Sequence, residues 1–157
     1  MAWAKLGSVT LGSANSNLSS GTIDANKFIF IPYYAEATSG SPDLQITFNN
    51  DTGSNYARRR SVNGAADTTN TSQSNLNPDG SLVELFGIIY IVNLASEEKL
   101  LFSFSGRADS SGASNAPNRR EWVAKWANTS DQITEVDLTS SSSTLTTNSN
   151  ITVIGSD

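Results

Sequence analysis

Leu44, Ile46 and Phe48 alternate with Gln45 and Thr47. That period of two predicts a strand with one face buried and one face wet. The same pattern recurs along the chain. Residues 3–11 are apolar at Trp3, Leu6, Val9 and Leu11, and the slip in period at Gly7 predicts a β-bulge. Residues 26–37 are dense in strand-forming side chains, among them Phe28, Ile29, Ile31 and Tyr33. Pro32 in that run has no N–H to donate, which predicts an edge strand or a bulge. Residues 81–94 are apolar at nearly every position from Leu85 to Val92, as a strand buried on both faces would be, and Gly87 reads as a bend. Over residues 99–105, Leu101 and the serines share one face, and Leu100, Phe102 and Phe104 share the other. Residues 119–127, 132–138 and 151–154 read as further strands, and residues 17–20 as a weak one.

The segments between them are turn chemistry. Asn49-Asn50-Asp51-Thr52-Gly53 reads as a hairpin turn leading into a strand at residues 54–62. Asn77-Pro78-Asp79-Gly80 reads as another turn. Residues 63–75 and 106–118 are polar and aperiodic and read as long loops, the first with room for one short strand. With about eight to ten strands, turn signals every ten residues or so, and no convincing helix, the expectation is an all-β chain. Residues 1–157 are expected to form a single antiparallel β-sandwich domain, of jelly-roll type on strand count.

Composition narrows the chemistry. Hydrophobic residues are 37% and charged residues 16% of the chain, and Ser, Thr and Asn fill the difference, which suits loops and wet strand faces. The net charge of −5 argues against nonspecific nucleic-acid binding, which rests on a basic surface. Neither cysteine nor histidine is present, so thiolate chemistry, disulfides and the commonest general base and metal ligand are all missing. No cofactor and no metal site is expected. Met1-Ala2-Trp3-Ala4-Lys5 lacks the basic start and apolar run of a secretory signal. No apolar run approaches the roughly 20 residues that span a membrane. The expectation is a soluble protein made in a cytoplasm.

Each candidate motif has a plain structural reading beside the chemical one. Asp51-Thr52-Gly53 matches the tripeptide of aspartic proteases, but its flanks are polar and a turn accounts for it. Arg58-Arg59-Arg60 is the densest charge cluster, and Arg119-Arg120 opens another strand. Arginines there can meet an acidic partner or protect a strand edge, although alternation sends Arg59 to the face opposite Arg58 and Arg60. Trp122 and Trp126 share a face, either packed in the core or stacked on a sugar ring. Glu121 and Glu135 are acids near apolar strands, with no spacing that predicts a glycosidase pair. Asp67 and Asp109 lie in loops with oxygen ligands too sparse to predict a calcium site. No catalytic set is expected, and the chain is read as a non-enzyme.

Several spaced blocks carry a resemblance. They are Phe48-Asn49-Asn50-Asp51-Thr52-Gly53-Ser54-Asn55-Tyr56-Ala57-Arg58-Arg59-Arg60, Val92-Asn93-Leu94-Ala95-Ser96-Glu97-Glu98-Lys99-Leu100, Asn115-Ala116-Pro117-Asn118-Arg119 and Lys125-Trp126-Ala127-Asn128-Thr129-Ser130-Asp131-Gln132-Ile133-Thr134. With Trp3-Ala4-Lys5-Leu6-Gly7 and Val153-Ile154-Gly155-Ser156-Asp157, they resemble a family of small structural proteins of tailed bacteriophages. The resemblance implies a virion protein made in the host bacterial cytoplasm. Its leading form is a capsid decoration (cement) protein on the outside of the head, bridging neighbouring major capsid proteins. It would act as a homo-oligomer, dimer or trimer, with no nucleic-acid or membrane partner. The alternative is a receptor- or carbohydrate-binding domain of a tail fibre or baseplate. No functional residue carries over. The candidate partner contacts are Trp3, at a segment free to reach, and Arg58, Arg59, Arg60, Arg119 and Arg120.

Overall fold

A computed structural model describes residues 2–157, with Met1 outside the described residues. Twelve strands follow one another: β1 (Ala4–Thr10), β2 (Asn17–Ser19), β3 (Phe28–Glu36), β4 (Leu44–Phe48), β5 (Tyr56–Val62), β6 (Thr68–Gln73), β7 (Leu76–Asp79), β8 (Glu84–Val92), β9 (Lys99–Arg107), β10 (Asn118–Trp126), β11 (Val136–Ser140) and β12 (Asn150–Ser156). They form two antiparallel sheets. The larger has eight strands in the order β1-β12-β3-β8-β9-β10-β5-β6, and the smaller has four, β2-β11-β4-β7. The all-β sandwich read from the pattern is the observed class. The split of eight strands against four is more lopsided than the eight strands of a two-sheet jelly roll.

The core lies between the sheets. Ile29, Ile31 and Tyr33 of β3, Ile89 and Ile91 of β8, and Trp122 and Trp126 of β10 face Leu44, Ile46 and Phe48 of β4 and Val136 and Leu138 of β11. Phe48 joins the layers, its ring centroid 5.9 Å from Trp126 and 6.1 Å from Tyr56. Trp122 and Trp126 are only 3% and 1% exposed, so the core alternative holds for both.

Four local readings change. Pro32 sits in a central strand, not at an edge, between β12 and β8. The register to β12 steps from Tyr33 to Phe30 without pairing Pro32 or Ile31, so the missing N–H falls where the ladder is already interrupted. The segment after β4 is not a hairpin turn, because β4 belongs to the small sheet and β5 to the large one. Asn49 and Asn50 take φ of 52° and 57° there, the left-handed region that Asn tolerates better than most residues. Asn77-Pro78-Asp79 is part of β7 rather than a turn, and Asp79 is fully buried. Gly87 marks no bend. Pairing runs unbroken through it on both sides, and the Tyr33 ring lies so close to its Cα that no Cβ would fit. The slip in β1 is where the pattern placed it, between Lys5 and Gly7.

Candidate functional site

The small sheet covers one side of the large sheet. The other side is bare, and it is apolar. Register across the strands fixes which side chains are neighbours there. Phe28, Val92 and Leu100 form one row on β3, β8 and β9, and Phe30, Tyr90, Phe102 and Val123 form the next, reaching β10. A third row holds Pro32, Ile88 and Phe104, and a fourth Tyr34 and Phe86. Leu100 is 59% exposed, Phe86 58%, Phe102 57% and Phe104 51%. Phe30 and Tyr90 stack at 4.5 Å between centroids. Trp3 borders the same face, and with Phe28, Tyr90, Leu100 and Phe102 it lines a shallow depression of about 260 Å3.

Strand β9 explains how this arises. Its alternation was legible, but its orientation runs opposite to the usual rule. Ser103 and Ser105 point into the sandwich and are buried, while Leu100, Phe102 and Phe104 point to solvent. Lys99 also faces in and is fully buried. Its Nζ donates to the carbonyls of Ala95, Glu97 and Asn128 at 3.2, 2.8 and 2.8 Å. Burial pushes its pKa down, against the pull of Asp131 and Glu97. The sequence pattern of β8 predicts burial on both faces. Only one face is buried: Leu85, Ile89 and Ile91 are inside, and Phe86, Tyr90 and Val92 are exposed.

The face has charged borders. Beyond Val123, three ion pairs stand on the β10 and β5 side: Arg59–Asp67 at 3.6 Å, Arg119–Glu121 at 3.7 Å and Lys125–Glu98 at 2.7 Å. At the end of the strands, Glu36 of β3 lies directly across from Glu84 of β8. Burial, then these two carboxylates, push the Tyr34 hydroxyl beside them up to about 12.

The arginines separate by strand parity. Arg59 and Arg119 are exposed on the outer face. Arg58, Arg60 and Arg120 turn the other way, toward the inside of the sandwich, where a partner on the outer face does not meet them. Arg120 is buried, with its Nη1 2.6 Å from Asp79 Oδ1, and Arg107 Nη1 approaches the same oxygen at 3.4 Å. Burial lowers Arg120 despite Asp79, and it brings Arg58 down to about 10 with help from Arg60 and Arg120. This is a structural tie between β7 and the large sheet.

Elsewhere the polar motifs resolve into fold chemistry. Asp51 Oδ2 accepts from Trp126 Nε1 at 2.6 Å and from Asn55 Nδ2 at 2.9 Å, and its backbone carbonyl accepts from the Tyr56 hydroxyl at 2.9 Å. Partial burial pushes the Asp51 carboxyl up, but the bonds from Trp126, Asn55 and the Gly53 N–H outweigh it and leave the pKa lowered. Glu121 stands on the outer face of the large sheet. Glu135 is held beside the small sheet by Ser19 and Asn50, at 2.9 and 2.7 Å. The fold does not bring these two acids together. Asp67 and Asp109 each face an arginine, Arg59 and Arg107. Among the described residues no group of three or more Asp, Glu, His or Cys side chains is placed to hold a metal ion.

Sequence reasoning missed the apolar face. Two signals were present: a strand apolar at both parities in an antiparallel fold, and the Leu100, Phe102, Phe104 series opposite serines. No family model matches the chain, and no curated protein does. Among solved structures, SCLam, a non-specific endo-β-1,3(4)-glucanase from family GH16, aligns with 90% of this chain and 63% of its own at 6% identity and a TM-score of 0.26. The chain thus spans less than two thirds of that enzyme. A high-affinity mannose-binding lectin of Ralstonia solanacearum aligns over 67% of this chain and 92% of its own, at 16% identity and a TM-score of 0.14. Likenesses this distant carry no argument about function.

Proposed function

We propose that this protein works by docking, as a structural component of a tailed-bacteriophage particle, most concretely a decoration protein on the outside of the head that strengthens contacts between major capsid proteins. One observation carries the docking part: the outer face of the eight-stranded sheet is a contiguous apolar surface with a charged border. The largest apolar patch on a monomeric protein, typically about 300–600 Å2, is often functional, and an apolar centre inside a polar rim is the layout of a protein interface. The sequence blocks that resemble phage structural proteins supply the setting. The sugar-binding alternative loses the tryptophan pair read for it from the sequence, because Trp122 and Trp126 are packed in the core. What the outer face offers instead is mostly Phe, Leu and Val, with few hydrogen-bonding groups to read hydroxyls.

Copy number tests the reading. Quantitative mass spectrometry of purified particles, with heads and tails separated, is expected to find the chain on heads in numbers comparable to the major capsid protein. A handful of copies confined to tails would point to adhesion instead. Absence from washed particles would overturn the virion assignment.

A further inference from the structure

We propose that the outer face of the large sheet is closed by a second copy of this chain, sheet against sheet, about a two-fold axis lying in the interface and running across the strands. This rests on the reading of that face as a protein interface and names its occupant. In the resulting dimer the small sheets and their loops point outward, free for the capsid.

The first argument is area. Four strands about 4.8 Å apart, read over some seven residues at about 3.4 Å each, make an apolar plane of roughly 450 Å2 before side-chain relief is counted. The full eight-stranded face, its polar border included, measures roughly 900 Å2. Stable interfaces bury about 800 Å2 per partner. A twin sheet, packing at about 10 Å as sandwich layers do, covers the whole plane at once.

The second argument is charge. The protein carries −5 overall, so two copies repel unless the contact itself is neutral. Along the β10 and β5 border it is neutral, because Arg59, Arg119 and Lys125 already pair with Asp67, Glu121 and Glu98 of their own chain. Such a border asks for no strongly acidic or basic partner.

The third argument fixes the axis. The face is polarised along the strands. Glu36 and Glu84 lie opposite each other at one end, with no ion-pair partner among the described residues. Like charges directly across a ladder repel. At the other end Lys27, next to Phe28, holds its Nζ 5.2 Å from that ring, and its ammonium has no ion-pair partner among the described residues, although the Asp157 carboxylate accepts from its backbone N–H at 3.3 Å. A two-fold axis across the strands, near the Pro32, Ile88 and Phe104 row, places the glutamates of each copy over Lys27 of the other. It also lays the Phe30 row of one copy on the Tyr34 row of its twin. In an isologous contact each such match occurs twice.

Sedimentation velocity on the purified chain reads the result. The wild type is expected at twice the 16.7 kDa chain mass, and Phe102→Asp at the single-chain mass with an unchanged circular-dichroism spectrum and, at dilution where both chains are monomeric, an unchanged melting curve. Because Phe102 points outward, its substitution leaves the interior intact. Lys27→Glu is expected to weaken the dimer at least tenfold in Kd, and Lys27→Glu combined with Glu36→Lys and Glu84→Lys to restore it. A monomeric wild type, a dimer that survives Phe102→Asp, or a ring of three or more subunits would overturn the proposal. A monomer found at high copy number on heads would leave the virion reading standing and assign the face to the capsid protein. A dimer absent from particles would do the reverse.

Discussion

The two faces of strand β9 exchange the roles that water normally assigns. On the inner face stand Lys99, Ser103 and Ser105, all buried, with Leu101 the one apolar side chain among them; on the outer face stand Leu100, Phe102 and Phe104, all exposed. The inner face is tolerable because its most polar member, Lys99, is hydrogen-bonded by three carbonyls, and a buried polar group costs little when it is paired. The outer face has no such internal remedy. Exposed phenyl rings are stabilised only by removal from water, at about 25 cal/mol per Å2. The charge on the inner face is therefore answered within the chain, although the Ser103 and Ser105 hydroxyls are buried there without a hydrogen-bond partner, whereas the outer face gains only from whatever covers it. Substitutions on the inside should show in the folding of the single chain, and substitutions on the outside should show in association.

The largest separation is expected at Asp79→Ala. This removes the carboxylate that answers buried Arg120 and nearby Arg107, and stranding a buried charge costs about 3–5 kcal/mol. Urea unfolding should show it as a large drop in midpoint. A change under 1 kcal/mol, on the order of an exposed pair, would mean that the tie between β7 and the large sheet carries no weight.

Gly87→Ala comes next. The new methyl would strike the Tyr33 ring, which rests against the glycine, and overpacking of this kind costs about 1–3 kcal/mol. The same measurement checks it, and Tyr33→Phe combined with Gly87→Ala should recover part of the loss.

Acid sensitivity gives a smaller effect. The pKa of Asp51 is lowered in the folded state by the bonds it accepts from Trp126, Asn55 and Gly53. Its contribution is thus complete above the unfolded carboxyl value of about 3.9 and is lost as pH falls through the folded value. Between about pH 5 and pH 3, Asp51→Asn should lose less stability than the wild type, by thermal melts across that range. Equal slopes would remove Asp51 from the account of the corner between β4 and β5.

The smallest effect on folding is expected outside. Phe104→Ser, studied at dilution where the chain is monomeric, should shift the unfolding free energy by about 0.5 kcal/mol or less, as surface changes usually do. It should instead reduce the binding of a dye that reports exposed apolar surface. A loss of several kcal/mol, on the scale of core truncations, would show that Phe104 is packed within the chain, and the contrast between the faces would collapse.

Much of the fold could be read directly. Alternation at Leu44, Ile46 and Phe48 and at the tryptophans of β10 specified strands and which residues share a face, because side chains alternate whatever the sheet is packed on. The slip at Gly7 was visible for the same reason. The candidate site was only half legible. Parity predicted that Arg59 would leave Arg58 and Arg60, and it does, but parity has no sign: it says that two sets face apart, not which one meets the core. On β9 the sign runs against hydrophobicity, so the sequence pointed neither way. Turn chemistry misled at Asn77-Pro78-Asp79, because the pull of Arg120 and Arg107 on Asp79 comes from strands distant in sequence. It misled again after β4, where a turn that looks like a hairpin carries the chain from one sheet to the other.

By itself, then, the sequence determined that this protein is built of strands, where most of them run, and which reactive side chains it lacks. Those properties depend on neighbours within a few residues. Only the tertiary structure decided that one sheet would be twice as wide as the other, that its serines would turn inward, and that a field of phenyl rings would be left facing water. Layer partition and facing are fixed by contacts between segments far apart in the chain, and local pattern carries no record of them.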